Sequence, residues 1–156
     1  MASLSIIFST STGHTEYVID TLIASLHAKA PKLKVEKLRA ELAQPQDLLK
    51  GDVLLLASGT WNTGGTEGQL NPHMYALLKE QAKDADLGKK SCLLVALGDD
   101  RYHYTARATE HLMQFVTQHN GTVADSLIVI NEPYGQEEKI AKWAEKILAK
   151  VPTLAS

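Results

Sequence analysis

Hydroxyl side chains are concentrated in STSTGHTEY, residues 9 to 17, here called the hydroxyl stretch, which directly follows the apolar run SLSIIF. The hydroxyl-bearing residues that could surround an anion there are Thr10, Ser11, Thr12 and Thr15. A helix beginning in this stretch would add unpaired N–H groups and the positive end of its dipole, and Gly13 would let its backbone approach a ligand closely. These features indicate a phosphate site, although a helix capped by Ser11 or Thr12 explains the same residues.

The hydroxyl stretch contains no lysine, which limits the kind of phosphate it could bind. A nucleoside triphosphate loop requires the spacing GxxxxGK[ST] and a dinucleotide loop requires GxGxxG, and neither pattern is present. A single terminal phosphate monoester therefore fits better than a pyrophosphate. His14 is either a further phosphate ligand or a solvent-facing side chain.

A tryptophan stands in the polar, glycine-rich stretch SGTWNTGGTEGQ, residues 58 to 69. An indole is costly to expose in such a stretch, and its flat face suits an aromatic ligand. Trp61 therefore predicts one wall of a site for a planar ligand, with a structural, partly buried tryptophan as the alternative. Asn62 and Gly64 tolerate positive φ, so this stretch bends or changes conformation easily.

A third stretch, GDDRYHYTAR, residues 98 to 107, places Tyr102 and Tyr104 beside the acidic pair Asp99–Asp100. Tyrosine rings offer the same flat, partly polar surface as an indole. Two aromatic walls and one phosphate cradle together predict a phosphorylated planar ligand held between rings.

Five apolar runs of strand length must position these stretches. They cover residues 3–8, 33–38, 53–57, 91–97 and 126–130. Four are continuously apolar, which predicts strands buried on both faces of a parallel sheet. The run LKVEKL, residues 33–38, alternates polar and apolar residues and predicts an edge strand.

Amphipathic helices are predicted between the strands, because apolar residues recur there at helical spacing. Their apolar positions are Val18, Leu22 and Leu26; Leu70, Met74, Leu77 and Leu78, within a helix over 67–82; Ala108, Leu112 and Val116; and Ile140, Ala144 and Leu148. Alternating strands and helices predict one doubly wound α/β domain over residues 1–156, with helices on both faces of the sheet. Such sheets bind ligands at the C-terminal ends of their strands, where the three stretches lie.

Composition argues against several classes of function. The 156 residues carry a formal net charge of -2, which provides no general attraction for nucleic acid or an anionic membrane. No apolar run approaches the roughly 18 residues of a membrane span, and the N-terminal residues lack the basic region of a signal peptide. The single cysteine, Cys92, permits no internal disulfide, which suits a reducing compartment. We therefore expect a cytoplasmic protein.

The three stretches together resemble those of flavodoxins in order and spacing, over nearly the whole chain. STSTGHTEY is similar to the family's phosphate loop, TWNTGG to its tryptophan loop and LGDDRYHY to the loop whose tyrosine stacks on the flavin. The absence of a long insertion in the fifth strand resembles the short-chain branch. As in flavodoxins generally, the resemblance implies a five-stranded parallel sheet of order 2-1-3-4-5, with the cofactor FMN at the switch between strands one and three.

The resemblance also implies which residues bind FMN. Its phosphate would contact Thr10, Ser11, Thr12, Gly13, His14 and Thr15. Trp61 would cover one face of the flavin and Tyr102 the other. The remaining implied contacts, at the ring edge and around it, are Gly59, Thr60, Asn62, Thr63, Gly64, Gly98, Asp99, Arg101 and Tyr104. The resemblance implies no catalytic residue and no metal site.

The function implied by the resemblance is low-potential one-electron transfer by a monomeric carrier rather than by a stand-alone enzyme. A reductase and acceptor enzymes would dock transiently at the exposed flavin edge, with no nucleic acid or membrane partner. In flavodoxins the peptide after the tryptophan's neighbour, here Asn62–Thr63, turns toward flavin atom N5 on reduction.

Two other functions remain open at this point. One is a flavodoxin-like accessory protein dedicated to a single enzyme, of the biotin-pathway or ribonucleotide-reductase-activating type. The other is a non-redox module such as a phosphoacceptor receiver. Receivers need acidic residues after strands one and three, where this chain has FSTST and ASGTW.

Overall fold

A β-sheet forms the centre of the protein. The computed structural model describes residues 2–10, 12–63, 66–99 and 107–155, and at 61–63 and 66–67 it describes only the backbone. In chain order the strands are β1 (Ser3–Phe8), β2 (Lys34–Arg39), β3 (Val53–Thr63), β4 (Thr66–Leu70), β5 (Ser91–Gly98) and β6 (Thr122–Ile130). Five of them are parallel and lie in the order β2-β1-β3-β5-β6, while β4 pairs antiparallel with β3. If the five parallel strands are numbered without β4, their order is 2-1-3-4-5, which confirms the predicted order. The short antiparallel strand β4 was not predicted.

Burial follows the apolar patterns of the strands. The central residues of β1, β3 and β5, among them Ile6, Leu55 and Leu93, have no exposed surface. The alternating run LKVEKL forms β2 at one edge of the sheet, as predicted, with Lys34 and Glu36 exposed. The strand predicted over 126–130 begins earlier, at Thr122, because pairing with β5 continues through a bulge between Val123 and Asp125.

The predicted helix over 67–82 is wrong in its first part. Residues Thr66–Leu70 form β4, which pairs with the extended end of β3. Helix α2 (Pro72–Tyr75) follows and continues as a π-helix over Ala76–Gln81. Its start is fixed by Asn71, whose side chain accepts a bond from the N–H of His73 at 3.0 Å, and by Pro72 at the first helical position. The apolar face predicted for this segment is confirmed, since Leu70, Met74, Leu77 and Leu78 are at most 1% exposed.

Helices cover both faces of the sheet, as predicted. Helices α1 (His14–Lys29) and α4 (Glu137–Lys150) bury Leu22 and Ile140 in a core shared with the β1 side chain of Ile6. Helices α2 (Pro72–Tyr75) and α3 (Ala108–Gln118) pack on the other face, in a core that contains Ile7 from the same strand. Neighbouring residues of β1 thus point into different cores, which is why its sequence is continuously apolar.

The parallel strands all end at one edge of the sheet, and this edge carries the three predicted stretches. The hydroxyl stretch follows β1, residues 58–63 and 66–69 belong to β3 and β4, and the third stretch starts at the last residue of β5, residue 98. The strand order reverses between β1 and β3, because β2 lies outside β1 while β5 lies beyond β3. A crevice for a ligand is therefore expected between the segments that follow β1 and β3.

Candidate functional site

The first turn of α1 is built around Gly13. This residue has φ of 90° and precedes the helix, and its carbonyl accepts the N–H of Tyr17 at 3.0 Å. Its own N–H donates to the hydroxyl of Thr10 at 2.9 Å, which closes the turn between strand and helix. No side chain among the described residues caps α1, so Thr12 does not act as a helix cap, and Ser11 lies outside the described residues. The N–H groups of residues 14 to 16 therefore face the space beyond the helix end, as in anion sites.

A buried serine lies directly before this turn. Ser9 is fully buried, its N–H donates to the carbonyl of Ala57 in β3 at 3.0 Å, and its hydroxyl has no hydrogen-bond partner among the described residues. A buried hydroxyl without a partner costs free energy unless a ligand or water supplies one. Ser9 was missed as a site residue by the sequence analysis, although it is the first member of the hydroxyl run.

Hydroxyl donors at a helix N-terminus, an unpaired buried hydroxyl beside them and a glycine at the turn fit a phosphate group. Thr12 and Gly13 are exposed, and Thr10 and His14 are half-buried. Thr15 is only 4% exposed and therefore lies on the inner side of the helix. The described members of the predicted phosphate set are thus brought together around one helix end.

Charge near this helix end is balanced by residues of β2. Glu16 pairs with Lys37 and with Arg39, each at 2.9 Å, and Lys37 also pairs with Asp20 at 2.7 Å. These contacts raise the pKa of Lys37, with the Asp20 hydrogen bond as the largest cause and the Glu16 bond next. The negative charge of Glu16, in the first turn of α1, is therefore balanced by two cations of β2, whether or not an anion binds nearby. The two cations also lie over Phe8, with Lys37 Nζ 5.8 Å and Arg39 Cζ 5.7 Å from its ring centre.

The end of β3 is held by the hydroxyl groups of two residues, of which Thr60 was among the predicted contacts and Ser58 was not. Ser58 donates to the carbonyl of Gly59 at 2.8 Å and accepts the N–H of Asn71 at 3.0 Å. Thr60 donates to the carbonyl of Leu97 in β5 at 3.0 Å and accepts the N–H of Ala108 at the start of α3 at 3.2 Å. The hydroxyl of Thr60 therefore joins three elements, β3, β5 and α3.

The segment that carries Trp61, which the resemblance likens to a loop, continues β3 and pairs antiparallel with β4. Trp61 pairs with Gln69 and Thr63 pairs with Thr66, with a shift in register between them. Asn62 therefore lies opposite a bulge whose extra residue belongs to β4. A peptide in this position is less constrained by strand pairing than its neighbours.

Several predicted contacts fall on residues or side chains outside the described part of the chain. Ser11, Gly64, Arg101, Tyr102 and Tyr104 lie outside the described residues. Only the backbone of Trp61, Asn62 and Thr63 is described. Gly98 ends β5 and its carbonyl already accepts the N–H of Asn131 at 2.7 Å, while Asp99 follows it. The assignments of all these residues to a ligand stay predictions.

Cys92 is a buried core residue, as its position in an apolar run predicts. It has no exposed surface, and burial raises the pKa of its thiol to about 11. Such a thiol is protonated at neutral pH and is a poor nucleophile. Within residues 2–10, 12–63, 66–99 and 107–155, no group of three His, Cys, Asp or Glu side chains could hold a metal ion, and no helix is long and apolar enough to span a membrane.

Comparison with known proteins assigns a family to this arrangement. Residues 6–143 match the model of the flavodoxin family. The chain is similar to a flavodoxin of Nitratidesulfovibrio vulgaris (strain DSM 19637 / Miyazaki F), with 25% identity over 95% of this chain and 98% of the relative. It is also similar in structure to oxidised Flavodoxin 2 from Bacillus cereus, with a TM-score of 0.84 and 22% identity over 96% of this chain and 99% of the other. A short-chain flavodoxin associated with a bacterial microcompartment matches with a TM-score of 0.80 and 21% identity, over 96% and 98% of the two chains.

Proposed function

This chain belongs to the flavodoxin family, whose members are electron carriers with FMN as cofactor, and on that premise we propose how its own residues bind FMN and serve the transfer. The observation that carries the proposal is the open N-terminus of α1 at the reversal of strand order between β1 and β3. The phosphate of FMN would be held there by N–H groups of the first turn of α1 and by the hydroxyls of the hydroxyl stretch. Ser9 would add its buried hydroxyl, which has no partner among the described residues, at the base of the same turn.

The flavin ring would lie beside the ends of β3 and β5. In this proposal Trp61 and Tyr102 cover its two faces, and backbone groups of Thr60, Asn62 and Asp99 meet its polar edge. The hydroxyl bonds of Thr60 to Leu97 and Ala108 support this, because they hold the end of β3 against the segments that flank the tyrosines. The other implied contacts are Gly59, Thr63, Gly64, Gly98, Arg101 and Tyr104.

The redox step is supplied by FMN, which accepts and donates single electrons when bound. The chain contributes binding, orientation and exclusion of water from the flavin faces, and these set the potential. No proton transfer by a side chain is needed for this role, so we propose a carrier without catalytic activity of its own. Because the hydroxyl stretch contains hydroxyls and no lysine, it would hold the phosphate without adding a lysine near the flavin.

We further propose a single domain over residues 1–156 that acts as a monomer in the cytoplasm, where a lone buried thiol is typical. A reductase and acceptor enzymes would dock transiently at the exposed flavin edge. The alternative of an accessory protein dedicated to one enzyme is not favoured, since the matched relatives are flavodoxins.

Stepwise reduction of the purified protein, followed by its visible spectrum, tests the proposal. We expect a yellow protein that takes up electrons in two separable one-electron steps and is reduced by a general NADPH-dependent flavodoxin reductase. Apoprotein should recover the colour and lose tryptophan fluorescence when FMN is added. A colourless protein whose fluorescence does not change with FMN would overturn the assigned site, and reduction by one dedicated partner alone would favour the accessory function.

A further inference from the structure

A group of aromatic side chains joins the first turn of α1 to the segment between β6 and α4, residues 131–136, here called the 131–136 loop. The ring of Tyr134 contacts the ring of His14 edge to face, with centroids 5.6 Å apart. It also packs at a tilt on Tyr17, with centroids 4.8 Å apart. The hydroxyl of Tyr17 donates a hydrogen bond to the carboxylate of Glu137, the first residue of α4. Residues about 120 positions apart in the chain therefore meet beside the helix end that would receive the phosphate.

The 131–136 loop is itself held in one shape. The side-chain amide of Gln136 donates to the carbonyls of Ile130 and Glu132, at 2.9 and 2.7 Å. The N–H of Gly135 donates to both carboxylate oxygens of Glu137, at 3.0 and 3.1 Å. Asn131 donates its N–H to Gly98 at the end of β5. These hydrogen bonds therefore hold the loop in one conformation, in which it can support the first turn of α1.

The ring contacts of Tyr134 stabilise the N-terminal end of α1 rather than the protein core. Tyr134 is 56% exposed, so its ring excludes little water from the protein interior. Its described ring contacts are both with the first turn of α1, at His14 and Tyr17. The Glu137 carboxylate is satisfied by the Tyr17 hydroxyl and the Gly135 N–H, and these bonds keep its pKa below the ordinary value. Its negative charge is thus stabilised within the group of contacts.

We propose that the 131–136 loop clamps the first turn of α1, and that Tyr17 and Tyr134 are positioning residues that pre-arrange the phosphate site of FMN. This rests on the proposed function, because it takes the end of α1 as the phosphate site. A binding site that is already ordered before the ligand arrives loses less conformational freedom on binding. The clamp therefore increases affinity for the phosphate part of the ligand and has no direct effect on the flavin ring.

The comparison of FMN with riboflavin isolates this effect, since riboflavin lacks the phosphate. We would measure the Kd of the apoprotein for each ligand by fluorescence quenching, in the wild type, Tyr17→Phe, Tyr134→Ala and Tyr134→Phe. The first variant keeps the ring and removes the hydroxyl, the second removes the ring, and the third keeps it. Tyr75→Phe is the matched control, because Tyr75 is a partly buried tyrosine on the opposite face of the sheet.

Tyr17→Phe and Tyr134→Ala should weaken FMN binding by roughly three- to tenfold and leave riboflavin binding unchanged. Tyr134→Phe and Tyr75→Phe should bind both ligands as the wild type does. Equal losses for the two ligands, or no loss for either, would overturn the clamp. If the wild type itself binds FMN no better than riboflavin, the phosphate site fails instead, so the two failures are distinguishable. Thermal unfolding of each apoprotein confirms that the variants are folded.

Discussion

The hydroxyl of Thr60 donates a hydrogen bond to the carbonyl of Leu97 at 3.0 Å and accepts one from the N–H of Ala108 at 3.2 Å. One small side chain therefore connects the end of β3, the end of β5 and the start of α3. These are the elements that flank the two proposed aromatic walls of the flavin site. This connection is expected to set the spacing between the two proposed walls.

Thr60→Val removes the two hydrogen bonds of the Thr60 hydroxyl and keeps the shape of the side chain. Valine has nearly the same size but leaves the carbonyl of Leu97 and the N–H of Ala108 with one bond fewer, which costs about 1–3 kcal/mol for groups buried from water. We expect the free energy of unfolding in urea to fall by that amount and the affinity for both FMN and riboflavin to fall with it. Thr60→Ser, which keeps the hydroxyl, should behave like the wild type. Unaltered flavin affinity in the valine variant would show that the junction does not position the site.

Asn62 lies at the register shift between β3 and β4, next to the peptide that turns toward the flavin in this family. Glycine adopts positive φ more readily than asparagine, so Asn62→Gly should make this turn easier. We expect the first one-electron potential to rise relative to the second by about 40 mV, the equivalent of roughly 1 kcal/mol. Spectroscopic redox titration measures both potentials. An unchanged difference between them would contradict a role of this peptide.

Gly13 has φ of 90°, and a Cβ added there would meet no atom within 4 Å. The cost of Gly13→Ala is therefore conformational rather than steric, and we expect a loss of about 1–2 kcal/mol in the free energy of unfolding. The affinity for FMN should also fall, because the turn that presents the N–H groups is distorted.

Gly88→Ala is the matched control for Gly13→Ala, since Gly88 has φ of 61° and similarly open surroundings far from the hydroxyl stretch in the chain. Its loss of stability should be similar, but FMN affinity should not change. If both variants lost FMN affinity equally, the effect would be one of global stability and not of the site.

The Tyr17–Glu137 bond should make stability depend on pH in a defined direction. It lowers the pKa of Glu137 from its ordinary 4.5, so the bond contributes fully above that pH and is lost as the pH falls through the lowered folded value. It also raises the pKa of Tyr17 from 10.0, so at high pH the contribution is lost as the pH rises through the raised value. Between these limits the contribution is constant.

Thermal unfolding of the wild type and Tyr17→Phe over a range of pH tests this direction. The difference between their midpoints should be constant at neutral pH and shrink in acid. The difference between the midpoints should also stay the same across the pH range in which histidine side chains ordinarily titrate. A gap that instead grew on acidification would show that the bond does not favour the ionised carboxylate.

Much of the fold is predictable from local patterns. Continuous apolar runs such as residues 91–97 predict buried strands because both of their faces must leave water, and alternation in residues 33–38 predicts an edge. The segment 67–82 shows the limit of this reasoning. Its apolar spacing suits a helix, but pairing of Thr66–Leu70 with the end of β3 satisfies the backbone of both segments, so the helix begins only at Pro72.

The sequence by itself determined that hydroxyls follow one strand, a tryptophan another and tyrosines a third, and it determined the periodicities that place them at one edge of a sheet. Only the tertiary structure decided that Gly13 rather than a hydroxyl residue directly precedes α1, and that the buried hydroxyl of Ser9 has no partner among the described residues. It also decided that Tyr134 reaches across to His14 and Tyr17. Local patterns record which face a residue buries, whereas contacts between residues more than a hundred positions apart depend on how the elements pack, and that packing leaves no periodic signal in the chain.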